Sequence, residues 1–270
     1  MSVRKWGLLG GCVLALQLFA QGRIERFEMP THSALNDRPI LFYVPAQYTE
    51  QDTTRFPVLY LFHGVNGDEN SWSVDGNIQI VLDSMIDRHI IRPCIVVMPN
   101  TNSGKYIWNK HERGTMRNLL GYFKNRRGNF TLFFEEIVAT TDSLYRISSN
   151  PTDHAIAGLS NGAYQAAVVA SMYPAQFAWV GLFSPVIFKK QIPEVGVEWC
   201  MNDSLPHGTC YWISIGDVDI FRSYGIRYAE LLRKQHIPSI VVVNKGGHNW
   251  RVWQSDFEHF IQTIYPVDTE

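Results

Sequence analysis

The chain has 270 residues, with 24 Lys plus Arg against 25 Asp plus Glu, and is 46% apolar and 18% charged. That balance offers no basic field for nucleic acid and excludes a disordered or fibrous chain, while the length suits one hydrophobic core and one domain. The expected partner is a small or neutral molecule.

The first twenty residues read as an export signal, in which Arg4 and Lys5 form a basic start and Trp6 to Ala20 an apolar run broken only by Gln17. At about fifteen residues the run falls short of the roughly twenty that a membrane span needs. Cleavage is expected after Ala20, leaving residues 21–270 as one secreted or periplasmic domain that is not held at a membrane. Leu9-Gly10-Gly11-Cys12 has the outline of a lipoprotein box. The apolar run before Cys12 is too short and continues past it, so anchoring there is the lesser reading.

Further along the chain, β-branched and aromatic runs predict strands at 40–44, 58–62, 94–98, 154–157, 179–183, 211–215 and 240–243. Between them, apolar residues at helical spacing predict helices over 77–89, 133–145, 162–172, 224–235 and 252–265. Strands alternating with helices imply an α/β fold, a mainly parallel central sheet with helices on both faces, and a site at the carboxyl ends of the strands. Residues 100–129 and 185–209 fit neither pattern and are expected to be long functional loops over that edge. Their aromatic residues, Trp108 and Trp199 foremost, are expected to wall a substrate pocket. Cys94 reads as a buried small hydrophobe. Cys200 and Cys210 lie in a turn-rich stretch that admits a bridge in an exported protein. No Cys and His spacing resembles a metal site.

The chemistry is concentrated after the strand at 154–157. Gly158-Leu159-Ser160-Asn161-Gly162 matches G-x-S-x-G. Such a pentapeptide arises by chance in about one chain in ten of this length. Its setting between a strand and a helix is what marks Ser160 as a nucleophile. A serine hydroxyl needs a base within hydrogen-bond reach and an acid to orient that base. His248 follows the strand 240–243 through a Gly-Gly loop at the carboxyl edge, whereas His236 and His259 lie in helical patterns and His207 in a long loop. Asp217 and Asp219 both end the strand 211–215. Asp219, two residues further past the edge, is preferred and Asp217 is the fallback. Backbone N–H groups of Asn161 and Val65 are the expected oxyanion donors, with His63 shaping the loop that carries Val65. No cofactor is required.

These stretches resemble the esterase D-like branch of the α/β-hydrolases. It includes the feruloyl and acetyl-xylan esterases of carbohydrate esterase family 1, S-formylglutathione hydrolases, enterobactin esterases and mycolyltransferases. The resemblance rests on Pro57 to Gly64, Trp72, Val97 to Asn100, Ala155 to Gly162, Gly216 to Asp219, and Gly247-His248. The family's glycine, two variable residues and acid fall on Gly216 and Asp219, which supports Asp219. Asn161 and Ala163 depart from its usual Met and Gly without removing a catalytic group. The resemblance implies the α/β-hydrolase fold and a serine esterase acting through an acyl-enzyme on a small-molecule or polysaccharide ester. Export favours feruloyl or acetyl groups on plant cell-wall polysaccharide. The alternatives are a siderophore ester, an S-formylglutathione-like thioester, or acyl transfer to a sugar hydroxyl. Seven basic residues between 105 and 127 against Glu112 alone keep an anionic ester open.

Overall fold

Runs of Val, Ile and aromatic residues, stiff at their first side-chain torsion, extend into strands. The structure, a computed structural model, describes residues 21–29, 38–101, 130–173, 176–195 and 208–267. Among these, eight strands form one sheet: β1 (Arg23–Phe27), β2 (Ile40–Val44), β3 (Val58–Phe62), β4 (Ile95–Pro99), β5 (His154–Leu159), β6 (Trp179–Phe183), β7 (Cys210–Gly216) and β8 (Ser239–Asn244). Their spatial order is β1-β2-β4-β3-β5-β6-β7-β8. From β4 onward every neighbour is parallel, and β2 alone opposes its neighbours on both sides. This is the expected α/β-hydrolase sheet.

Successive side chains leave a strand on opposite faces, so each strand feeds two cores. Val58, Tyr60 and Phe62 of β3 join one apolar cluster, and Leu59 and Leu61 join the other. The first is covered by α2 (Phe130–Leu144), α3 (Asn161–Met172) and α4 (Arg222–Lys234), the second by α1 (Ile78–Asp87) and α5 (Trp250–Ile264). Burial on both sides explains why β2, β3 and β4 read as unbroken apolar runs, with every residue buried. Helix α5 starts where the Asn249 side chain accepts the Val252 N–H at 3.4 Å. Its buried stripe of Val252, Trp253, Phe257, Phe260, Ile261 and Ile264 then follows at helical spacing. Each of those side chains gains roughly 1.5–3 kcal/mol from leaving water.

Strand β1 is absent from the sequence-based expectations because three of its five residues are charged. It is an edge strand, so its place rests on backbone pairing to β2, and its charges find partners at the rim. Glu25 accepts from the Tyr145 hydroxyl at 2.6 Å, and Arg26 pairs with the buried Glu69 at 2.6 Å. Lys189–Val195 forms a 3-10 turn inside the stretch expected to be irregular. Cys94 sits just before β4 and is fully buried, which pushes its thiol up to about 12. Cys200 lies outside the described residues, among which Cys210 has no disulfide partner. No helix among the described residues is long and apolar enough to cross a membrane.

Candidate active site

Strand β5 ends at Leu159, α3 begins at Asn161, and Ser160 occupies the corner between them with φ 54° and ψ −111°. A non-glycine residue at positive φ is strained and persists only where its surroundings enforce it. Here the Ser160 N–H donates to the Phe183 carbonyl at 2.8 Å. Two glycines allow the corner to close. A Cβ on Gly158 would lie 2.5 Å from the Gly162 carbonyl carbon, and one on Gly162 would strike the carbonyl oxygens of His63 and Phe62. The result is a serine hydroxyl raised above the carboxyl edge of the sheet.

The loops after β7 and β8 meet that hydroxyl. His248 Nε2 lies 2.9 Å from Ser160 Oγ, and His248 Nδ1 lies 2.9 Å from Asp219 Oδ2. An ionised Asp219 accepts from Nδ1–H, which leaves Nε2 free to accept from the serine hydroxyl. Burial pushes the Asp219 carboxyl up, but the His248 bond and the Phe221 N–H, which donates to Oδ1 at 2.7 Å, together hold it below its ordinary value. Asp217 does not share this arrangement. Its Oδ1 accepts the Gly246 N–H at 2.9 Å on the exposed side of the loop.

His63 is buried at the end of β3, and both its ring nitrogens are engaged. Nδ1 donates to the Gly64 carbonyl at 2.7 Å, and Nε2 accepts the Thr101 N–H at 3.0 Å. The Thr101 hydroxyl donates to Gln165 Oε1 on α3 at 2.9 Å. The loop carrying Val65 is thereby tied to the helix that opens with Asn161. His236 lies two residues past the end of α4, and His259 faces outward on α5 with Nδ1 donating to the Ser255 carbonyl at 2.7 Å.

The family described as "Putative esterase" matches residues 31–212, about two thirds of the chain. The chain belongs to that esterase family. An endo-1,4-beta-xylanase/feruloyl esterase of Xylanibacter ruminicola is 26% identical over 251 residues, covering 90% of this chain and 31% of that protein. The chain thus spans about a third of the length of this curated relative. A solved ferulic acid esterase superposes with a TM-score of 0.74 at 21% identity, covering 91% of this chain and 98% of the other. A CE1 ferulic acid esterase from Anaeromyces mucronatus gives 0.70 at 18% identity, with 90% of each chain covered. An S-formylglutathione hydrolase from Staphylococcus aureus gives 0.68 at 15%, covering 90% and 97%. The solved structures share the α/β-hydrolase fold, and family membership makes the chain a serine ester hydrolase.

Above Ser160 this esterase holds a cavity of about 290 Å³, lined by Gly64, Val65, Ser160, Val186, Phe221, His248, Trp250 and Trp253 among others. The imidazole is wedged between two aromatic rings, each with its centroid 4.9 Å away: Phe221 at 74° and Trp253 at 90°. Trp250 in turn packs edge-on against Trp253 at 5.4 Å and the buried Trp72 at 5.2 Å. Sequence reasoning missed Phe221, Trp250 and Trp253 as site residues. The tryptophans sit at the start of an amphipathic helix, where periodicity assigns an aromatic residue to the core. Of the expected pocket stretches, Val186 reaches the cavity, whereas Phe188 packs against Tyr224 at 5.1 Å. Trp108 and Trp199 lie outside the described residues, as do His207 and residues 105–127. No group of three or more His, Cys, Asp or Glu among the described residues is arranged to hold a metal ion.

Proposed function

We propose that this esterase removes feruloyl or acetyl groups from plant cell-wall polysaccharide, with Ser160 as nucleophile, His248 as general base and Asp219 as the acid that orients it. The observation that carries the reading is the unbroken hydrogen-bond path from Asp219 through His248 to Ser160, opening on a cavity with aromatic walls. Ser160 Oγ attacks the ester carbonyl carbon while His248 Nε2 takes the hydroxyl proton. The negative charge moves to the carbonyl oxygen, where the N–H groups of Asn161 and Val65 receive it. The intermediate collapses as imidazolium returns its proton to the departing alcohol oxygen. Water, deprotonated by His248, then attacks the acyl-enzyme, releasing the carboxylic acid and restoring Ser160.

The acyl class is supported by the feruloyl and ferulic acid esterases among the relatives and by Phe221, Trp250 and Trp253, whose flat faces suit a phenolic acyl group. None of the described cavity residues is Lys or Arg, which suits a neutral ester over an anionic one. Export after cleavage behind Ala20, with residues 21–270 as the working domain, completes the proposal. Initial rates on methyl ferulate, acetylated xylan and S-formylglutathione test it. The reading expects kcat/KM on one of the first two to exceed that on the thioester by at least about tenfold, a difference of about 1.4 kcal/mol in transition-state stabilisation. A preference for S-formylglutathione would overturn it.

A further inference from the structure

Asp256, on α5, is an ionisable side chain with no exposed surface and lies outside the path from Asp219 to Ser160. Its Oδ2 accepts from the Ser214 hydroxyl at 2.6 Å, and its Oδ1 accepts from the Asn244 side-chain amide. Ser214 belongs to β7 and Asn244 is the last residue of β8, so one carboxylate from α5 joins two neighbouring strands. Those strands lead directly into the loops that carry Asp219 and His248.

The same two loops are sewn together beyond the sheet. The Asp217 N–H donates to the Asn244 carbonyl at 2.7 Å, and the Val218 N–H donates to the Gly246 carbonyl at 3.1 Å. Gly216 has no room for a Cβ, because the Gly246 carbonyl lies against it. One turn before Asp256, the same helix supplies Trp253, which packs on the imidazole. A side chain that ties α5, β7 and β8 together therefore stands at the base of both loops and of the ring that buttresses His248.

We propose that Asp256 is a positioning residue, which sets the separation of Asp219 and His248 by holding β7, β8 and α5 in one arrangement. The inference rests on the proposed roles of Ser160, His248 and Asp219. A carboxylate suits the task because it accepts from two donors at once, whereas an amide at this position has a single acceptor oxygen. Burial raises the Asp256 carboxyl to about 6, with the Ser214 and Asn244 hydrogen bonds opposing. The charged groups facing it are His259 on its own helix, which lowers it, and Asp219 on the β7 loop, which raises it. Protonation removes one of the two acceptor positions, so the tie weakens as pH falls through about 6.

Asp256→Asn keeps the shape and drops one acceptor. On p-nitrophenyl acetate at roughly pH 8, kcat is expected to fall about 10²-fold with KM within about twofold, the cost of misplacing a base by about an ångström. In the native enzyme the acid limb of log kcat against pH should carry a fall through about pH 6 that belongs to Asp256. Asp256→Asn should lack that component. The paired exchange N244D/D256N restores a donor and an acceptor in reversed order and is expected to recover about tenfold of the loss. A folded Asp256→Asn with unchanged kcat and an unchanged acid limb overturns the inference. Should Asp256→Asn not fold, Ser214→Ala, which removes only one donor, is expected to lower kcat severalfold at constant KM, and an unchanged kcat there would overturn it equally. Ser160→Ala, run in parallel, separates the two layers. Retained turnover in that variant sinks the assignment of the site, whereas an inert Ser160→Ala beside an indifferent Asp256→Asn sinks only the role of Asp256.

Discussion

Ser160 is held at positive φ by a backbone bond to Phe183, and its hydroxyl faces the His248 imidazole, whose second nitrogen is already committed to the buried Asp219 carboxylate. Because Asp219 contacts His248 while Asp217 braces a backbone amide, the two aspartates are expected to respond differently. Asp219→Asn should lower kcat by up to about 10⁴-fold by disturbing the tautomer, while Asp217→Asn should have a milder effect through the loop. Steady-state kinetics on one substrate compares them, and the reverse ranking would move the acid to Asp217. These polar residues were legible in the sequence because the chemistry constrains their order: a serine in a strand-to-helix corner, then an acid and a histidine at the ends of later strands. Phe221, Trp253 and Asp256 were not. Phe221 lies just past the pattern that ends at Asp219 and is no part of it, and the helical periodicity of α5 gives no sign that Trp253 looks into a cavity or that Asp256 reaches two strands.

At the scale of elements, the corner between β5 and α3 depends on two positions where any side chain collides with backbone. Gly162→Ala is expected to prevent folding or to destabilise by several kcal/mol, since the new methyl would meet the carbonyl oxygens of His63 and Phe62 at the end of β3. A chemical melt within about 1 kcal/mol of the native chain would contradict that packing. Helix α5 contributes its stripe to one core and its first turn to the site. Trp253→Ala should therefore cost about 3–5 kcal/mol of stability and also reduce kcat/KM, more steeply on a feruloyl than on an acetyl ester if the ring contacts the acyl group. Equal loss on both esters would confine Trp253 to packing. The parallel strands were legible because they are buried on both faces and stand as continuous apolar runs. Edge strand β1 was hidden, since charged residues such as Arg23, Glu25 and Arg26 obscure a segment whose place is fixed by backbone pairing to β2.

For the molecule as a whole, the two buried aspartates behind the site pull the stability curve in opposite directions. Asp219, held below its ordinary value, contributes stability that is present above the unfolded carboxylate range and lost as pH falls through its folded value. Asp256, raised to about 6, contributes stability that is present below the unfolded range and lost as pH rises through about 6. The Tm of the native chain relative to Asp256→Asn is accordingly expected to fall between roughly pH 4 and pH 8, and thermal melts at both ends check the sign. The proposed function rests on a narrower point, the covalent chemistry assigned to one hydroxyl. The most direct measurement is mass spectrometry of the peptide containing Ser160 after treatment with a fluorophosphonate ester, alongside turnover of methyl ferulate by Ser160→Ala. The expected result is a single phosphonyl adduct on Ser160 and no turnover above background in the variant, whereas an adduct elsewhere, or turnover surviving in Ser160→Ala, would contradict a serine esterase built on this corner.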